Sequence, residues 1–132
     1  MKDLLVSPKQ ATKLKQLGFD EPCLFGYNQD DEDKLMIAPQ LSSYDINSGK
    51  NSDVSKINKV TAPIRAQVFK WFRDEYGLNG DLYSQLRPSN KFMYGFKIGG
   101  SDAISDGFHT YEETELACID KLIEIVRHRS LL

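Results

Sequence analysis

The sequence predicts an α+β fold in which a small antiparallel sheet packs against helices. Residues 63 to about 128 follow the order helix, strand, strand, strand, helix, and an extra helix and a hairpin precede them. The 132 residues match the usual length of one domain, which predicts a single α+β domain over residues 1–132. Hydrophobic residues at 40% and charged residues at 27% are typical of a globular chain.

The first helix has a clear start signal. Ser7 is a good N-cap, Pro8 suits the first helical position, and Gln10 stands three residues after the cap. Gly18 then predicts the end of the helix. Two short strand candidates follow at residues 23–27 and 35–38, and the polar connection between them predicts a hairpin.

The acidic connection at residues 28–33 raises the possibility of a calcium loop. It lacks the alternating ligand positions, the central glycine and the distal glutamate of an EF-hand, so a solvated hairpin tip is favoured. After it, a segment rich in Ser, Asn, Asp and Lys shows no apolar period, which predicts a mobile polar loop at about 42–60. No arginine precedes residue 61 and five follow it. This change in composition suggests an insertion between two parts of the chain.

The second helix is predicted to begin around residues 61–63, with Pro63 in its first turn, and to end at Gly77. Its apolar arc is wide enough to place this helix at the centre of the core. The members of that arc are Ile64, Val68, Phe69, Trp71, Phe72 and Tyr76.

Strands are predicted at residues 78–86, 91–98 and 104–108. The middle strand alternates most clearly, and one of its faces is predicted to pack beneath the helices: Phe92, Tyr94, Phe96 and Ile98. Thr110 and Glu113 form a capping box that starts the last helix. Acidic residues in its first turn and basic residues in its last turn suit the helix dipole.

The sequence of the second and last helices, residues 62–78 and 108–124, resembles a group of short uncharacterised proteins encoded by gut Bacteroidales and their phages or prophages. The similar segments cover about a quarter of the chain. The resemblance implies a biological setting in a bacterium or its phage, and it implies no catalytic residues.

Nucleic-acid binding is the alternative function that the sequence leaves open. The helix, three strands and helix reproduce in outline a double-stranded RNA-binding domain, and Tyr94 and Phe96 share a face as stacking aromatics would. Arg65, Arg73 and Arg87 could add a basic patch. Against this interpretation, the net charge is -2 and three glutamates open the last helix, where they would repel phosphate. Packing in the core is the simpler explanation of the two aromatics.

Enzymatic chemistry has little support in the sequence. Cys23 and Cys118 lack metal or redox spacing and are predicted to be small buried hydrophobes. His109 and His128 stand near helix ends, and no nucleophile elbow or phosphate-binding loop is present. We therefore expect no catalytic residues, no cofactor and no metal.

The function expected from the sequence is that of a non-enzymatic accessory protein that binds another protein. No apolar run approaches the roughly 18 residues of a membrane span, and Ser7, Pro8 and Lys9 interrupt the N-terminal apolar residues before they could form a signal sequence. We therefore expect a cytoplasmic protein with no membrane partner.

Overall fold

A computed structural model of the chain describes residues 2–29, 32–37, 51, 59–88 and 92–130. The chain divides into two compact units, residues 1–64 and residues 65–132. Each unit contains a three-stranded antiparallel sheet and helix, so the predicted α+β class is confirmed. The prediction of a single domain concerns how these units associate, and it stays a prediction.

The N-terminal unit contains one α-helix and three strands within its described residues. They are α1 (Pro8–Gln16), β1 (Phe25–Asn28), β2 (Lys34–Ile37) and β3 (Lys59–Ala62), with β1 between the other two strands. The predicted cap of α1 is confirmed, because the Gln10 amide donates to Ser7 Oγ and the Ser7 amide donates to Gln10 Oε1, both at 3.2 Å. The antiparallel pairing of β1 with β2 confirms the predicted hairpin.

The strand β3 corrects the predicted start of the second helix. Thr61 and Ala62 are paired with β1 as strand residues, and the helix begins at Arg65. Ala62 directly precedes Pro63, and the residue before a proline is biased away from helical backbone. Pro63 therefore lies just before the helix and not inside its first turn. The hairpin leaves one edge of β1 open, and β3 fills that edge by a long-range pairing.

The core of the N-terminal unit includes Leu14, Phe19 and Val60, all buried. The Tyr27 hydroxyl donates a buried hydrogen bond of 2.6 Å to the Val6 carbonyl. Asn51 lies at the edge of this core, where Nδ2 donates to the Phe19 carbonyl at 2.7 Å and Oδ1 accepts from the Thr61 amide at 3.0 Å. Apart from residues 51, 59 and 60, the predicted mobile loop lies outside the described residues.

The C-terminal unit follows the predicted order of helix, three strands and helix. Its elements are α2 (Arg65–Tyr76), β4 (Asn79–Leu86), β5 (Phe92–Gly99), β6 (Ala103–Phe108) and α3 (Tyr111–Ser130). The sheet order is β4-β5-β6, all antiparallel. Gly77, with φ +65°, ends α2 as predicted, and the Glu113 amide donates to Thr110 Oγ1 at 3.1 Å at the start of α3.

One face of this sheet and the apolar sides of both helices form the core. Trp71 and Phe96 are buried in it, as predicted. The predicted burial of the two cysteines is also confirmed, for Cys118 in this unit and for Cys23 in the N-terminal unit. Ile64 and Phe92 correct the predicted core, since they are 43% and 58% exposed. Ile64 precedes α2 and forms a bridge to Leu5, so the helical projection does not apply to it.

Candidate functional site

Arg65 does not lie where the nucleic-acid interpretation needs it. Its guanidinium donates to Glu115 Oε1 at 2.9 Å, and the two side chains are only 7% and 19% exposed. The ion pair joins α2 to α3 at the border of the core. A guanidinium that is buried and paired in this way cannot reach a phosphate without breaking the contact.

The aromatic pair of β5 lies on the side of the sheet that the helices cover. Phe96 is buried and stacked on Phe108, with ring centroids 6.1 Å apart. Tyr94 is half-buried and meets Tyr111 edge to face, with centroids 6.2 Å apart. The two residues do share a face, as the alternation indicated, but that face is packed against the unit's own helices.

The remaining two predicted residues lie on different surfaces. Arg73 is exposed on α2. Arg87 donates to Asp106 Oδ2 at 3.2 Å in an exposed ion pair. Asp106 pairs in register with Gly95, and a Cβ at Gly95 would meet Asp106 Cβ, so this ion pair lies on the sheet face opposite the helices. The structure therefore does not bring the five predicted residues onto one surface.

An exposed apolar surface lies at the end of the β4-β5 hairpin where β4 ends and β5 begins. We name it the hairpin patch, and it consists of Leu86, Phe92, Tyr94 and Tyr111. Leu86 and Phe92 are the last register pair of the two strands and are 59% and 58% exposed, while Tyr111 is 49% exposed. All lie on the helix side of the sheet, as the contact between Tyr94 and Tyr111 indicates.

The hairpin patch is exposed because α3 starts too late to cover it. Tyr111 is the first residue of α3 and lies against Tyr94. Phe92 is two residues nearer the turn, so within the described part of the C-terminal unit α3 does not extend over it. Strand alternation assigned Phe92 to the core because alternation reports the face of a residue and not the extent of the covering layer. The cap at Thr110 fixes where α3 begins, and it is the sequence signal from which the exposure of Phe92 could have been predicted.

The hairpin patch has an acidic border. Glu112 and Glu113 follow Tyr111 directly and are exposed in the first turn of α3. Their position suits the helix dipole, and it also places negative charge beside exposed aromatic area. A partner surface with apolar and basic side chains would match this arrangement.

A groove of about 340 Å³ runs between β4 and the two helices of the same unit. Gly80 and Leu82 of β4 line one side, and Phe69, Arg73 and Glu115 of the helices line the other. Gly80 is pressed close to the helices, since a Cβ there would lie 2.9 Å from Cys118 Sγ. The groove thus lies beside residues 80–82 of β4.

The thiols of the chain have no nucleophilic character at neutral pH. Burial raises the pKa of the Cys23 thiol and of the Cys118 thiol to about 12, so both are protonated. Over the described ranges, no three His, Cys, Asp or Glu side chains come together in a way that could hold a metal ion. His109 and His128 are both exposed.

No helix in the described part of the chain has both the length and the apolar character that a membrane crossing requires. Comparison of the chain with protein-family models, with curated proteins and with solved structures gives no significant match. The chemistry of the described side chains is therefore the basis for a functional assignment.

Proposed function

We propose that this protein is a non-enzymatic accessory protein of a bacterium, phage or prophage that acts by binding another protein. The hairpin patch is the observation that supports this proposal. Leu86, Phe92 and Tyr111 are three large apolar side chains exposed together at one end of a small unit. Exposed apolar clusters of this kind are typical of interaction sites, and aromatic side chains are enriched in the buried centres of interfaces.

The acidic border of the hairpin patch indicates the chemistry of the partner. Glu112 and Glu113 would attract a basic segment and speed its encounter, while Phe92 and Tyr111 would supply the apolar contact. The resemblance to proteins of gut Bacteroidales and their phages suggests the cells in which to search for this partner. The proposed place of action is the cytoplasm, and the proposal involves no cofactor.

Quantitative affinity capture from a lysate of a gut Bacteroidales strain carrying a prophage tests the proposal. The bait is the full chain, compared with Phe92→Ser and with the matched control Ile104→Ser. Ile104 is 70% exposed and pairs with Lys97 on the opposite sheet face, so it offers similar apolar area away from the hairpin patch. Circular dichroism must first show that all three proteins are folded.

We expect at least one protein to be captured by the parent chain and by Ile104→Ser. Its captured amount should fall about tenfold or more with Phe92→Ser, which corresponds to about 1.4 kcal/mol. Nuclease treatment of the lysate should leave this capture unchanged. If every captured protein is retained equally by Phe92→Ser, the hairpin patch is not the binding site and the proposal fails.

Nucleic-acid binding is the alternative, and the order of elements in the C-terminal unit is the observation that favours it. Labelled duplex and single-stranded oligonucleotides titrated at about 50 and 200 mM salt decide between the two, because phosphate contacts weaken steeply over this range. We expect no saturable binding, since Arg65 is committed to Glu115 and the start of α3 is acidic. Micromolar, salt-sensitive binding would favour nucleic-acid binding over protein binding as the function.

A further inference from the structure

The strand β4 forms an edge of its sheet and is paired regularly along its whole length. Among the residues that the structure describes, β4 pairs with β5 alone, over eight consecutive residue pairs without interruption. The strand contains no proline and no lysine, and its one charged residue is Asp81. Natural proteins commonly protect edge strands with such residues, with bulges or with a covering element, because an open edge pairs readily with another strand.

The opposite edge, β6, does carry this protection. Its pairing with β5 is interrupted by a register shift between Tyr94 and Gly95, and Gly107 within it adopts φ +94°. The contrast in regularity between the two edges indicates that β4 is the edge whose geometry suits pairing with another strand.

We infer that β4 pairs antiparallel with β4 of a second copy of this chain, so that two C-terminal units form one continuous six-stranded sheet. A two-fold axis between antiparallel strands is perpendicular to the sheet, which places both helix layers on the same side. One residue must then lie opposite its own copy. The candidates near the middle of the strand are Leu82, Tyr83 and Ser84.

The register centred on Ser84 is the one that matches side chains on both faces. It places the exposed Leu86 of each copy opposite Leu82 of the other, at the groove beside β4. On the other face it places Arg87 opposite Asp81, which are opposite charges. The exposed pair of Arg87 with Asp106 is weak enough to be exchanged for this contact.

The other two registers match less well. Centring on Tyr83 places Leu86 opposite Gly80, which has no side chain, and Leu82 opposite Ser84. Centring on Leu82 places Leu86 opposite Leu78, which is fully buried and precedes the strand. Neither register sets Asp81 opposite a basic residue.

Disulfide formation tests this register in the full chain. Ser84→Cys introduces a thiol of nearly the same size at an exposed position, and in the inferred dimer it faces its own copy within the Cα separation that a disulfide spans. The matched control is Asn79→Cys, which is exposed on the same strand but far from its own copy in this register. The natural cysteines do not interfere, because both are buried.

Under mild oxidation we expect Ser84→Cys to form a covalent dimer at least about tenfold faster than Asn79→Cys. Sedimentation of the parent chain should show a concentration-dependent dimer. Leu86→Lys should weaken this dimer at least about tenfold, or about 1.4 kcal/mol, whereas the control Ile104→Lys should not. Equal rates of disulfide formation, or a monomeric parent at every concentration, would overturn the inference.

The inference does not rest on the proposed function. In the dimer Leu86 belongs to the contact between copies, while Phe92, which lies on β5, remains available to a different protein. Loss of capture is measured with Phe92→Ser, and loss of the dimer is measured with Leu86→Lys and the cysteine variants. If no dimer forms, the proposed function can still hold, and if capture does not depend on Phe92, the dimer can still form.

Discussion

The guanidinium of Arg65 donates a 2.9 Å hydrogen bond to the carboxylate of Glu115, and this contact joins the first residue of α2 to the second turn of α3. Both side chains are largely removed from water. Charges in such an environment are stable only when they are paired and hydrogen-bonded. The pair therefore links the two helices at one end of the core. Arg65 could bind a ligand only by giving up its contact with Glu115.

Replacement of Glu115 by Gln should lower the free energy of unfolding by about 1–3 kcal/mol, because a buried guanidinium loses its charged partner. Urea unfolding followed by Trp71 fluorescence measures this change. The control is Asp74→Asn, since the pair of Lys70 and Asp74 is exposed on α2 and should contribute less than about 0.5 kcal/mol. Equal effects of the two substitutions would contradict the structural importance of the buried pair.

Truncation of Trp71 to Ala should lower the free energy of unfolding by about 3–5 kcal/mol, because a large buried aromatic is removed. The indole makes edge-to-face contacts with Phe72 and Tyr76, at centroid separations of 5.1 and 5.3 Å. Thermal unfolding followed by circular dichroism measures the loss. Trp71→Phe should cost clearly less, and a Trp71→Ala variant as stable as the parent would contradict the core assignment.

Gly95→Ala should destabilise the C-terminal unit by about 1–3 kcal/mol through overpacking. The added Cβ would lie 2.6 Å from the Tyr83 ring and 2.8 Å from Asp106 Cβ. The matched control is Gly99→Ala on the same strand, where the added Cβ would lie 3.8 Å from the Asn79 carbonyl oxygen, and it should have little effect. A smaller cost of Gly95→Ala in a Tyr83→Ser background would identify the ring as part of the cause.

Stability should fall as the pH rises from about 9 toward 12, because burial holds the pKa of the Cys23 and Cys118 thiols at about 12 in the folded chain. Above pH 9 the unfolded thiols release protons that the folded thiols retain, so the unfolded state is favoured. Urea unfolding across this range measures the slope. The double variant Cys23→Ala, Cys118→Ala should show a shallower decline, and an unchanged slope would contradict the prediction.

Local signals in the sequence were sufficient for much of the fold. The capping pair of Ser7 and Gln10 predicts the start of α1, and the alternation around Phe96 predicts β5, because both depend only on residues close in the chain. The order of elements in the C-terminal unit followed from the same kind of evidence. The burial of Trp71 followed from the wide apolar arc of its helix.

The remaining features were decided by contacts between residues that are distant in the sequence. Val60 and Thr61 become strand residues because β1 offers them an open edge more than 30 positions away. Arg65 is buried because Glu115 is brought to it across 50 residues. Phe92 is exposed because α3 begins beyond it, and no period within a strand records the extent of its covering layer. The sequence by itself determined which elements form, whereas the tertiary structure determined which of their side chains remain available for binding, since availability depends on what the rest of the chain covers.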